Sequence, residues 1–214
     1  MGESLEKIFT KIYNYNRESL AGSPSGPGSD LEHTQVIRNL LPSLFRELEL
    51  SSVLDIPCGD FNWMRYVDLA GMEYVGADIV AELVESNRAN YATENITFEH
   101  LNLIQDDLPA VDLIFCRDCL VHFSFDDIFK ALHNIIRSGA DYLLTTHFTE
   151  RSENHDIPTG SWRTLNLEIS PFNFPQPLRI LNEDYTGNEG RFRDKSLALW
   201  TVEAIQDSLA GHGV

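Results

Sequence analysis

The run Val53-Leu54-Asp55-Ile56-Pro57-Cys58-Gly59-Asp60 reads as a buried strand that breaks into a tight turn, and 23 residues beyond Asp55 a second strand pattern ends at Asp78. The alternation continues along the chain. Residues 61–69 predict a helix, 73–78 a strand, 81–91 a helix, 96–101 a strand, 111–116 a continuous apolar strand of the kind buried on both faces, 125–138 a helix and 141–146 a fifth strand. Strand and helix in regular turn predict an α/β fold: a doubly wound, mostly parallel sheet with helices on both faces.

Both ends of the chain depart from that rhythm. Leu5, Ile8, Phe9, Ile12 and Tyr13 share one face of a short helix over 4–16, and a stretch too rich in Gly, Pro and Ser for regular structure follows at 21–30. This stretch is either a linker or a loop that closes over a ligand. A helix is expected over 31–48, kinked or split at Pro42. Residues 150–177 have little periodicity and read as a long insertion, after which 178–181 and 196–202 are expected to close the sheet as an antiparallel pair. A length of 214 residues suits one well-packed domain. It divides into N-terminal helices and loop (1–50), a ligand-binding core (51–146), and an insertion with closing strands (147–214).

The formal net charge is −17, with 33 acidic against 16 basic residues and no basic cluster. Such a chain repels a phosphate backbone, so no nucleic-acid partner is expected. No run approaches the roughly 18 apolar residues of a membrane span, and the N-terminus lacks a signal peptide's apolar core. A cytoplasmic protein without a membrane partner is the expectation. Cys58, Cys116 and Cys119 are odd in number, and the single C-x-x-C has no second pair, so reduced structural thiols are expected.

An acid at the tip of each of two successive strands suits a cofactor bearing hydroxyls and an ammonium group. A dinucleotide instead needs a glycine-rich turn for its pyrophosphate. Here one glycine stands among Pro57, Cys58 and Asp60, and Asp55 and Asp60 repel a pyrophosphate. The local chemistry favours S-adenosylmethionine (SAM) over NAD. Without that pairing, Asp78 reads as a helix cap, and Asp60 reads the same way at its own turn.

Over 51–146 the chain resembles the class I, Rossmann-like SAM-dependent methyltransferases, whose first motif is an acid at the end of strand one followed by a glycine-rich turn. Asp55, Cys58 and Gly59 match it; Pro57 and Phe61 stand where glycines are common. The resemblance implies SAM as cofactor and S-adenosylhomocysteine as product, with Asp55, Pro57, Cys58, Gly59, Asp60 and Trp63 on the cofactor side. It further implies that Asp78 binds the ribose hydroxyls, Ile79 flanks the adenine, and Asn102-Leu103 meets the adenine edge. Arg117 and Asp118 would lie beside the methionine end. Asn102 reads equally as an Asx turn, and Arg117 with Asp118 as an ion pair facing solvent.

Methyl transfer to oxygen needs a general base. His122 and His147 stand at or just past strand ends, and Asp118, four residues before His122, would orient its imidazole if the segment were helical. Each histidine reads equally as a packing residue. No carboxylate-histidine cluster demands a metal, and a divalent ion is left open. Tyr13, the 21–30 loop, Trp63, Trp162 and Arg163 are candidates to meet the acceptor, with a satellite core under a long loop as the alternative for Trp162 and Phe172. The expected reaction is O-methylation of a small molecule or carbohydrate. N-methylation of an amino acid or protein side chain, and a non-catalytic SAM-fold binding subunit, are the alternatives.

Overall fold

The computed structural model describes residues 3–19 and 22–210. Seven strands form one sheet: β1 Ser52–Asp55, β2 Glu73–Asp78, β3 Ile96–His100, β4 Leu113–Cys116, β5 Tyr142–Phe148, β6 Arg179–Asn182 and β7 Lys195–Thr201. Their order is β3-β2-β1-β4-β5-β7-β6. Pairings from β3 through β5 are parallel, whereas β5 with β7 and β6 with β7 are antiparallel. This is the doubly wound sheet with an antiparallel end that the alternation predicts. Strand order reverses at β1, between β2 and β4, which is where open α/β sheets place ligands.

Among the described residues there are five helices: α1 Leu5–Ser19, α2 Gln35–Glu47, α3 Ala81–Tyr91, α4 Phe125–Ser138 and α5 Val202–Ala210. Side chains alternate across the central strands. Leu54, Ile114 and Leu143 join α4 and α5 in one core, while Val53, Leu113, Phe115 and Leu144 join α2 in the other. Helix α4 carries its own punctuation, because the Ser124 hydroxyl accepts from the Asp127 amide and Gly139 ends it at φ 77°.

Three expectations change. The segment 61–69 holds only a 3-10 turn at Met64–Tyr66. Phe61 sits at φ 55°, and the Asn62 amide donates to the Asp60 carboxylate at 3.3 Å, a local bond that competes with helix. Helix α2 starts at Gln35 rather than 31 and runs unbroken through Pro42, held by the burial of Leu41, Leu44 and Phe45 on the sheet. Beyond β7 the chain turns into α5, which the sequence reading omitted although Val202, Ile205 and Leu209 form its buried face.

The stretch 150–177 has no strand or helix, yet it is packed. Leu165, Leu167, Phe172 and Phe174 lie in the larger core, and the Trp200 indole donates to the Pro175 carbonyl at 2.7 Å. Among the described residues no helix is long and apolar enough to cross a membrane.

Candidate functional site

A cavity of about 170 Å³ opens at the C-terminal ends of β1, β2 and β4. Asp55 enters it from β1 and is 2% exposed, with the Tyr74 hydroxyl donating to Oδ2 at 2.6 Å. Burial pushes its carboxyl up to about 8; the Tyr74 bond only partly offsets this, and the nearby Asp78 charge adds to it. Asp78, at the end of β2, accepts from the Gly59 amide at 3.2 Å and the Val80 amide at 3.0 Å. Burial raises it to about 6 against those bonds. Two buried acids with raised affinities for a proton are a site prepared for a cationic or hydroxylated ligand.

The turn after β1 is built around Gly59. It lies at φ +57°, and a Cβ there would stand 2.4 Å from the Ser25 hydroxyl. Asn87 of α3 supports the turn by donating to the Gly59 carbonyl at 2.7 Å. Pro57, Cys58 and Trp63 also line the cavity, as do Ile79 and Leu103. Asn102 lines it too, but its side chain forms the Asx turn, accepting from the Ile104 amide at 3.0 Å.

The cavity is roofed by the N-terminal region. Phe9, Ile12, Tyr13 and Asn16 of α1 line it, followed by Pro24, Ser25 and Ser29. Of the expected 21–30 loop, Ala21 lies outside the described residues.

At the end of β4, Arg117 and Asp118 belong to a four-charge network. The Arg117 guanidinium donates to both carboxylate oxygens of Glu183, at 3.1 and 2.7 Å, and lies over the Trp63 ring. Lys195 donates to Asp118 at 2.7 Å and approaches Glu183 at 3.4 Å. Burial opposes the Asp118 charge, but Lys195 and Arg117 outweigh it and hold the carboxyl well below the usual range.

His122 also lines the cavity, in a 3-10 turn at Leu120–His122. Its Nδ1 lies 2.8 Å from the Ser161 carbonyl oxygen. A carbonyl only accepts, so Nδ1 carries the proton and Nε2 keeps its lone pair. Burial lowers the imidazole's proton affinity, and the Ser161 bond restores only part of it.

Other expected site residues lie elsewhere. Asp60 turns away from the cavity to accept from Ser23 and Ser25 at 2.9 and 3.1 Å. His147 is 0% exposed inside β5, where Nδ1 accepts from the Leu167 amide and Nε2 stands 3.2 Å from Glu168, fastening the 150–177 stretch to the sheet. Arg163 donates to the Leu120 and Phe123 carbonyls at 2.9 and 2.8 Å and is a structural clamp. Trp162, 45% exposed, packs edge-on to Phe148 and Phe192. Asp118 does not orient His122, since the Ser161 carbonyl does. Among the described residues no three His, Cys, Asp or Glu side chains converge on a metal position.

Sequence reasoning missed Tyr74, Ser23, Ser25, Glu183 and Lys195. The two serines had a signal in the Gly/Pro/Ser stretch; Glu183 and Lys195 had none, being 66 and 77 residues from their partners.

Residues 53–139 match the family described as Methyltransferase domain. Among solved structures, human N-acetylserotonin methyltransferase in complex with SAM is similar at TM-score 0.59 and 14% identity, over 92% of this chain and 59% of that one. The chain thus spans less than two thirds of that enzyme. Magnesium protoporphyrin IX methyltransferase from Synechocystis PCC 6803 with bound SAM gives 0.59 and 15%, over 94% and 98%. The 1,6-didemethyltoxoflavin-N1-methyltransferase of Burkholderia thailandensis, with 1,6-didemethyltoxoflavin and S-adenosylhomocysteine bound, gives 0.64 and 15%, over 92% and 86%. At such identities the likeness is one of fold, and the fold is the Rossmann-like methyltransferase fold. Curated protein sequences give no match.

Proposed function

We propose that this chain is a class I, SAM-dependent methyltransferase and that it methylates an oxygen of a small molecule or sugar, with His122 as general base. The observation that carries this is one cavity holding Asp55 and Asp78 at adjacent strand ends together with a histidine whose Nε2 is unprotonated.

The residues present fit the cofactor. A side chain at residue 59 would obstruct the turn, so its glycine keeps backbone amides close to the cavity. Asp78 retains acceptor capacity for ribose hydroxyls, and Asp55, on giving up the proton that burial holds on it, offers a negative charge to an ammonium group. Ile79 and Leu103 supply apolar walls for a purine. When bound, SAM supplies a methyl group made electrophilic by its sulfonium. The protein's share is alignment, exclusion of water and removal of one proton. His122 Nε2 accepts that proton from the acceptor hydroxyl, and the Ser161 carbonyl then stabilises the imidazolium through Nδ1–H. Tyr13, half-buried in the cavity wall, is our choice for an acceptor contact.

Methylation of a nitrogen is the second reading. Its support is Asp118, which lines the cavity and is held anionic by Lys195 and Arg117, a feature suited to a cationic acceptor. The cytoplasmic setting belongs to the same proposal and agrees with three buried free thiols.

Calorimetric titration with SAM, S-adenosylhomocysteine and NAD tests the cofactor, and incubation with labelled SAM and a panel of sugars and small alcohols or amines tests the acceptor. Micromolar binding of both sulfur ligands and none of NAD is expected. Absence of binding to either sulfur ligand would overturn the reading.

A further inference from the structure

The segment 22–30 crosses the cavity and is tied down at two places. On the β1 side, Asp60 accepts from Ser23 and Ser25, and its amide donates to Ser25. The Ser29 carbonyl also accepts from Asn62 of the same β1-side turn at 3.1 Å, while on the β4 side the Gly28 carbonyl accepts from Arg117 Nη2 at 2.9 Å. Arg117 also forks onto Glu183, which is 1% exposed and follows β6 directly. Gly28 itself packs close, since a Cβ there would stand 3.0 Å from the Asp118 carboxylate.

The cavity, about 170 Å³ beneath this segment, is smaller than the roughly 300–1,000 Å³ of sites that take ligands the size of a nucleoside derivative. A cofactor of that size needs more room than this, and displacement of the roof segment would supply it. Loss of one partner from a buried charge pair redirects the other. Without the Glu183 charge, Arg117 has Asp118 as its remaining anion, 3.3 Å from Nη1, and is drawn off Gly28.

Resting on the cofactor reading above, we propose that Glu183 is a positioning residue: acting through Arg117, it latches the 23–29 segment over the bound cofactor and sets the rate at which cofactor and product exchange. Glu183 touches neither ligand. It works by fixing where the guanidinium points.

The test uses the full chain loaded with S-adenosylhomocysteine, displaced by excess SAM in a stopped-flow instrument and followed by the fluorescence of Trp63, which lines the cavity beneath Arg117. In Glu183→Gln the release rate should rise on the order of tenfold while the circular dichroism spectrum is kept. A merely structural role would lower stability and leave release from the folded protein unchanged. Release within about twofold of wild type, from a folded variant, overturns the latch. Should Glu183→Gln fail to fold, hydrogen exchange in the wild-type protein decides. Amides of Gly26, Ser29 and Asp30, bonded within the segment, should exchange about tenfold more slowly at saturating S-adenosylhomocysteine, and unchanged exchange overturns the proposal. If wild type binds no S-adenosylhomocysteine at all, the cofactor reading fails first and the latch with it.

Discussion

The Ser25 hydroxyl accepts from the Asp60 amide at 2.9 Å and donates to the Asp60 carboxylate at 3.1 Å, so one roof residue closes on both the backbone and the side chain of the turn after β1. This contact leaves no room at residue 59, where a Cβ would stand 2.4 Å from that hydroxyl and the backbone is left-handed at φ +57°. Gly59→Ala should cost about 1–3 kcal/mol of stability, from αL strain and the displaced serine. It should also weaken S-adenosylhomocysteine binding. Ser25→Gly in the same chain removes the clash and should return part of both losses. Denaturant melts and calorimetry on the two variants check this, and a Gly59→Ala protein equal to wild type would contradict it.

Asp55 links cofactor affinity to pH. Its folded carboxyl titrates near 8 against an ordinary value of 3.8, so the native state holds a proton that the unfolded state releases. Stability from this group is complete below about pH 4 and is lost as pH rises through 8. The ligand-free protein should therefore melt at lower temperature at pH 9 than at pH 6, and Asp55→Asn should flatten that slope. Binding a cationic cofactor near pH 7 should expel about one proton, seen as a calorimetric enthalpy that varies with buffer, and affinity should climb with pH to a plateau above 8. An Asp55→Asn protein that keeps the wild-type pH dependence would remove Asp55 from this role.

Asp78 makes two backbone bonds and still faces the cavity. Asp78→Ala should weaken S-adenosylhomocysteine binding by roughly 1.5–3 kcal/mol, the worth of hydrogen bonds to a charged acceptor. Titration of an adenosine analogue lacking the ribose hydroxyls supplies the control: it should lose little affinity on the same substitution. Equal losses for both ligands would point to collapse of the Gly59 turn instead.

Arg163 is expected to matter for folding and not for acceptor choice. Its guanidinium satisfies the Leu120 and Phe123 carbonyls on either side of His122, and it sits over the Phe125 ring. Arg163→Met leaves both carbonyls without this partner and should cost about 2–4 kcal/mol. The ranking of acceptors in a substrate panel should stay the same. A variant with wild-type melting temperature and altered acceptor preference would restore the sequence-based assignment.

These outcomes mark how far local sequence carries. Strand-end acids are legible because residue type and strand period both lie within a few positions, and 73–78, 81–91 and 125–138 match β2, α3 and α4 at both ends. His147 misled because β5 runs on to Phe148, two residues beyond the expected end, so the imidazole sits within the sheet against Trp200. Glu183 and Lys195 reach Arg117 and Asp118 only through the order β4-β5-β7-β6, a register that no short window of sequence contains. Arg163 and Trp162 stand side by side in the chain, yet one is buried and one exposed, a division made by tertiary packing in a stretch without periodicity.

The two histidines now separate cleanly in what their removal should do. His122 lines the cavity with its proton on Nδ1, and burial keeps its proton affinity below the ordinary value of 6.5. A base of that kind is neutral at pH 7, so kcat at saturating SAM should hold there and fall on the acid side as the ring protonates. His122→Gln fills similar space without a basic nitrogen. It should lower kcat by about 10²–10⁴ and abolish the acid limb, with S-adenosylhomocysteine affinity within about threefold of wild type. His147→Gln should instead lower stability, through lost contacts to Leu167 and Glu168, with kcat of the folded protein nearly intact. The pH profile is the deciding measurement, because a packing role for His122 has no reason to remove the acid limb. If His122→Gln retains both rate and limb, proton removal belongs to another group and the oxygen-acceptor mechanism fails with it.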